Sequence, residues 1–168
     1  MGRRVFYSFH YEPDNWRVSQ VRQMGVLEGN QIVSSNDWEA VTGAGEAAIK
    51  KWIAEEMSGK SCLVVLIGKS TADRKWIDYE IKKAWNDGRG VVGVHIHNLK
   101  DKGELQTTKG ANPFAGFTLE GGKKKLASVV RTYDPPYATS TNVYAHIASN
   151  LPSWVEEAIE IRKSYKPD

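Results

Sequence analysis

Apolar runs and helical periodicities alternate along this chain. The clearest unit, Ser61 to Trp85, begins Ser61-Cys62-Leu63-Val64-Val65-Leu66-Ile67 and closes its apolar run at Gly68. An unbroken β-branched run of this kind predicts a strand covered on both faces, since a half-buried strand would alternate apolar with polar. Lys69-Ser70-Thr71 follows as a polar loop. Then Ile77, Ile81, Ala84 and Trp85 recur at i, i+4, i+7 and i+8, one face of a helix over Lys75–Trp85. Asn86-Asp87-Gly88 supplies the stop. Strand, loop and helix together put Glu80 early in the helix, on the flank of its buried stripe.

The remaining segments repeat this alternation. Val5–Phe9 predicts the first strand, and His10–Asn15 a loop in which Asp14 or Asn15 caps a helix running to about Met24. Gln31-Ile32-Val33 predicts a short strand, followed by the polar loop Ser34–Trp38. Ala47, Ile49, Trp52, Ile53 and Met57 mark a helix ended by Gly59. Val91–His97 is a fourth strand. Residues 98–125 are rich in glycine, lysine and polar side chains, and a loop of that length is either functional or mobile. Leu126–Tyr133 predicts a fifth strand, ended by Asp134-Pro135-Pro136. Asn142–Ile147 predicts a short helical turn, and Asn150–Ser153 the start of a last helix carrying Trp154, Ala158 and Ile161. The expected fold is α/β, a flavodoxin-like doubly wound sheet of about five mainly parallel strands.

Composition narrows the class. At 168 residues the chain reads most simply as one domain, and a net charge of +3 without an aromatic-interleaved basic stripe does not argue for nucleic acid. Lys123-Lys124-Lys125 reads as a solvated loop. Cys62 is the single cysteine, so an intrachain disulfide framework is out, which fits a reducing, cytoplasmic setting. No apolar h-region and no membrane-length run occurs.

In a doubly wound sheet the loops after the first four strands share one rim. Here they gather Phe9, His10 and Tyr11, then Ser34 to Trp38, Gly68 to Thr71, and His95 with His97, with Glu80 beside them. A glutamate near a helix start ordinarily complements the helix dipole. Trp76, one turn earlier on the same side, adds an indole, and carboxylate plus indole suggests a pocket for a cation, a ribose or a flat ring. His95 and His97 share a strand face as metal ligands do, yet no Asp or Glu at matching spacing completes a set; satisfied imidazoles at a sheet rim are the ordinary reading. Gly43-Ala44-Gly45 lacks the third glycine of a dinucleotide fingerprint, and no Gly-x-Ser-x-Gly elbow exists.

These motifs, taken together, resemble a known family. Arg4–Tyr11 resembles the first box of a TIR-like domain. Val65–Gly68 with Arg74–Ile81 resembles its third strand and the helix bearing the signature glutamate. Val92–Ile96, Lys100-Asp101-Lys102 and Gly110–Phe114 resemble the Thoeris anti-phage, ThsB-like branch in particular. The similarity runs from the N-terminus to about Phe114, with the C-terminal part as a family-specific extension of a single domain, 1–168. The resemblance implies an enzyme that cleaves the nicotinamide–ribose bond of NAD+ and makes an ADP-ribose-derived, cyclic signalling nucleotide, activating a separate effector protein, with no cofactor or metal. By position it implies Glu80 as catalytic carboxylate, ionised at neutral pH through its helix position. Phe9, His10, Ser70 and Trp76 would line the substrate site, and Asp37 and Trp38 would lie where TIR domains contact a neighbouring protomer. Trp76 departs from the small residue that many TIR enzymes carry four before the glutamate. Two other classes remain open: a non-enzymatic TIR-like interaction module, and a nucleoside deoxyribosyltransferase-like enzyme with a glutamate nucleophile.

Overall fold

The computed structural model describes residues 3–29, 43 and 45–165. Strand β1 (Arg4–Ser8) leads into helix α1 (Tyr11–Gln23) and the two-residue strand β2 (Glu28–Gly29). Helix α2 (Glu46–Met57), strand β3 (Cys62–Ile67), helix α3 (Lys75–Asn86) and strand β4 (Gly90–His95) follow. A small hairpin of β5 (Thr118–Leu119) and β6 (Lys124–Lys125) precedes strand β7 (Arg131–Tyr133) and the long helix α4 (Ser140–Ser164). The main sheet runs β2-β1-β3-β4-β7. Every pairing in it is parallel. This is the expected doubly wound order, and it reverses direction between β1 and β3, the crevice where such sheets bind ligands.

Alternate side chains of the sheet feed two apolar layers. Val5, Tyr7, Val64, Leu66, Val92 and Val94 pack against α1 and α4. Phe6, Leu63, Val65, Ile67 and Val91 pack against α2 and α3. Both faces of β3 are therefore covered, and all six of its residues are buried. Each fully buried aliphatic or aromatic side chain stabilises by about 1.5–3 kcal/mol.

Several elements depart from the expected ones. Helix α1 starts at Tyr11, with His10 as N-cap and Pro13 in the first turn, where its missing N–H has no intrahelical partner to lose. Asp14 and Asn15 are inside that helix; Asn15 Nδ2 donates to the Tyr11 carbonyl at 2.9 Å. The second strand is Glu28–Gly29, while Gln31–Val33 lies outside the described residues. The fifth strand shortens to Arg131–Tyr133 because Leu126–Ser128 form a 3-10 turn. The turn at 142–147 and the last helix are one helix, α4, with Pro152 inside it. Val143, Ile147 and Leu151 before the proline and Val155, Ala158 and Ile159 after it pack on the same sheet face, and that burial outweighs the lost N–H.

Residues 98–125 are tied down. Arg17, on α1, donates from Nε to the Leu99 carbonyl at 2.8 Å and from Nη2 to the Leu105 carbonyl at 2.9 Å. Asp101 Oδ1 accepts from the backbone N–H groups of Gly103 and Leu105. Phe114 is fully buried in the α2–α3 layer. At Gly110 a Cβ would fall 2.0 Å from the Gly68 carbonyl oxygen, so only glycine lets the segment lie on the carboxyl end of β3.

Candidate functional site

Ser8 ends β1 in phase with Phe6 and so faces the α3 side of the sheet. Its Oγ donates to Glu80 Oε1 at 2.6 Å, a short hydrogen bond joining the switch-point strand to α3. Glu80 is not on the flank of the helical stripe but within it: Ile77, Glu80, Ile81, Ala84 and Trp85 are the buried positions of α3. With 5% of its surface exposed it is a carboxyl among apolar neighbours, and burial pushes its pKa up from 4.5 to about 8 against the opposing pull of the Ser8 hydrogen bond. The expected ionisation at neutral pH is thereby corrected: desolvation outweighs the helix N-terminus. No cation pairs with Glu80 among the described residues.

The other expected residues fall into place unevenly. His10 and Ser70 meet across the rim, with Ser70 Oγ and His10 Nδ1 3.4 Å apart. Phe9 is half-buried, its ring 6.2 Å from that of Tyr11. Trp76 is half-buried and meets Tyr79 edge-on at 5.6 Å, with the Lys75 ammonium 5.1 Å from its ring. The hydrogen-bond partner of Glu80 is Ser8, not that indole. Asp37 and Trp38 lie outside the described residues.

Sequence reasoning passed over Ser8, placed Thr71 only in a rim loop, and read Asp14 only as a helix cap. Thr71 is fully buried, and its Oγ1 accepts from the Gly68 N–H at 2.8 Å, which shapes the loop carrying Ser70. Asp14 is buried against Arg17 at 3.1 Å, and its Oδ2 has no hydrogen-bond partner. A Cβ on Gly68 would lie 2.1 Å from that oxygen, so glycine there lets α1 close onto β3. The signal for Ser8 was phase: it is the polar residue two after Phe6 in an otherwise apolar strand.

His95 ends β4 and His97 lies in the turn after it, not on the expected strand, yet their rings are 5.6 Å apart and near perpendicular. They are not satisfied imidazoles. Both are buried, and Nδ1 of each lacks a hydrogen-bond partner. Burial holds both below the usual histidine pKa, His95 at about 4, with nearby Asp134 opposing. Among the described residues no group of three His, Cys, Asp or Glu side chains is placed to hold a metal ion.

Residues 6–101 match the family described as Thoeris protein ThsB, TIR-like domain. The chain belongs to this family. A protein of Bacillus cereus (strain MSX-D12) named "Putative cyclic ADP-D-ribose synthase ThsB1" is 37% identical to it over 133 residues, 75% of this chain and 69% of that relative. Within this ThsB-type TIR-like domain, the matched stretch carries Ser8, His10, Ser70, Trp76, Glu80, His95 and His97; β7 and α4 lie beyond it. None of its described helices is long and apolar enough to cross a membrane.

Proposed function

We propose that this chain cleaves the nicotinamide–ribose bond of NAD+ and closes the remaining ADP-ribose into a cyclic nucleotide. That product would signal to a separate effector protein in defence against phage, and residues 1–168 would act as one TIR-like domain. The observation that carries the reading is the buried Glu80 carboxyl, held by Ser8 at the β1–β3 switch point with no cation partner. The relative's name points to the same chemistry.

A buried carboxyl without a counter-charge is costly to ionise until a cation arrives. The pyridinium of NAD+ is such a cation. As the C1′–N bond breaks, its electron pair leaves with nicotinamide, which becomes neutral, and positive charge moves to the ribose anomeric carbon. Glu80, its proton given up to solvent as the cation binds, then faces an oxocarbenium-like centre as a preorganised anion. Capture by a nucleophile of the adenosine half, with loss of its proton if it carries one, gives the cyclic product; capture by water gives ADP-ribose and a proton. Phe9, His10, Ser70 and Trp76 line the nicotinamide and ribose site in this reading, and Asp37 and Trp38 contact a neighbouring protomer.

The test is incubation of wild type and Glu80→Gln with NAD+, with chromatography for nicotinamide and the ADP-ribose species. Wild type should release nicotinamide and the variant at least a hundredfold less. If wild type releases none, alone or with lysate from infected cells, the enzyme reading falls. Base exchange on nucleosides without NAD+ consumption would instead indicate the deoxyribosyltransferase chemistry.

A further inference from the structure

Of the four buried side-chain polar atoms without partners among the described residues, three belong to the carboxyl ends of β4 and β7: His95 Nδ1, His97 Nδ1 and Thr132 Oγ1. Their faces follow from register. Val65 pairs with both Ser8 and Gly93, and Gly93 pairs with Thr132. Ser8, Gly93 and Thr132 therefore share one side of the sheet, His95 continues it in phase, and His97, in the turn after β4, keeps its ring 5.6 Å from that of His95. Ser8 donates to Glu80 on that same side. Two strand spacings and one two-residue step separate Ser8 from His95, about 12 Å between Cα atoms. A pyrophosphate bridge between two riboses spans a separation of this order.

Unpaired buried polar groups each cost about 1–3 kcal/mol, so a cluster of three asks for an occupant. The occupant's chemistry is constrained. The imidazoles are neutral, so each offers one donor and one acceptor, and Nδ1 takes either role. The nearby cations are already paired, Lys109 with Asp134 at 3.0 Å and Arg17 with Asp14 at 3.1 Å. Neutral groups beside a satisfied ion pair suit hydroxyls, which donate and accept alike, better than a phosphate.

We infer that His95, His97 and Thr132 form a second subsite that receives the ribose hydroxyls of the adenosine half of the dinucleotide. The occupant is named on the strength of the NAD+ reading above; the unpaired atoms stand without it. Access runs through residues 107–111. Thr107 N–H donates to the His97 carbonyl at 2.9 Å, Lys109 pairs with Asp134, and Gly110 rests on the end of β3. The segment thus crosses the ends of β4, β7 and β3 above the histidines. Lys109 and Asp134 are 58% and 37% exposed, so their pair contributes at most about 1 kcal/mol. Phe114 and the Arg17 contacts anchor the flanks, so entry of a ribose requires these few residues to lift.

The experiment uses the full chain carrying 15N-labelled histidine, titrated with adenosine 5′-monophosphate and with its 2′,3′-dideoxy analogue. The ring nitrogens of His10, His95, His97 and His146 are followed. A saturable shift at His95 and His97 with the monophosphate, absent with the dideoxy analogue and at His146, is expected. Thr132→Val should weaken monophosphate binding tenfold or more while Tm holds or rises, because an unpaired buried hydroxyl becomes a methyl. Unmoved His95 and His97 signals at millimolar nucleotide overturn the subsite, as do equal shifts with both nucleotides. Neither outcome depends on catalysis. Nicotinamide release with unmoved histidines keeps the cleavage and removes the subsite; moved histidines without nicotinamide release do the reverse.

Discussion

Ser8 and Glu80 set the chemistry by opposing each other. Burial raises the carboxyl to about 8, and the Ser8 hydroxyl, which donates to the charged form, lowers it. A catalytic anion must be ionised, so kcat/KM for NAD+ should climb with pH and level off near 8, the free-enzyme value. In the complex the pyridinium charge favours the anion, so the rise in kcat should fall at lower pH. A kcat/KM profile flat from pH 6 to 9 would contradict this role for Glu80. Ser8→Ala removes the donor and should displace the kcat/KM profile toward higher pH, with about a tenfold loss at pH 7 and less at pH 9. A uniform loss at all pH values would mean that Ser8 positions the carboxyl without tuning it.

Among the elements, α1 does the most to organise the rim. Its N-cap His10 meets Ser70, its Asp14 lies against Gly68, and its Arg17 bonds the carbonyls of Leu99 and Leu105. One guanidinium thus ties the helix to the segment that covers the end of β4. Arg17→Met removes a donor from a buried carboxylate and from three carbonyls, those of Pro13, Leu99 and Leu105, at once. Breaking a buried pair of this kind costs about 3–5 kcal/mol. The expected fall in Tm is roughly 10 °C in thermal unfolding. Hydrogen exchange should rise at Gly103 and Leu105 ahead of the core strands. A Tm within two degrees of wild type would show that the Arg17 network adds little.

At the scale of the molecule, two buried groups pull stability in opposite directions with pH. Glu80 holds its proton up to about pH 8 when folded but only to 4.5 when unfolded, so the folded state binds more protons between these values and stability falls as pH rises. His95 titrates near 4 when folded and 6.5 when unfolded, so its neutral burial contributes stability above 6.5 that is lost as pH falls toward 4. The two effects oppose each other below 6.5, and Glu80 acts alone above it. Wild-type Tm should therefore decline from pH 6.5 to 8, whereas Glu80→Gln, which still accepts from Ser8, should stay level there. The variant should be the more stable by a few kcal/mol at pH 8, with the Glu80 contribution vanishing near pH 4.5. Equal curves for the two proteins would remove the linkage.

The order of strands and helices was legible in the sequence because burial leaves a local trace. A strand covered on both faces must be apolar throughout, as Cys62–Ile67 is, and a helix lying on a sheet must repeat its stripe, as Ile77, Ile81, Ala84 and Trp85 do. Parallel crossovers then confined the topology, and Glu80 was visible as a carboxylate beside that stripe. What fills the space next to it was not legible. Ser8 stands 72 residues away, and only strand register places its hydroxyl against the carboxyl. Desolvation is likewise a property of surroundings, so a helix-start position spoke for an ionised Glu80 where its apolar neighbours hold the proton on. The same holds for His95 and His97, whose missing partners are a fact about three elements at once, and for 98–125, whose polar composition concealed the anchors supplied by Arg17, Gly68 and the core beneath Phe114. Periodicity records which face of an element is buried; the partner that buries it, and the charge state it permits, arise only when distant segments meet.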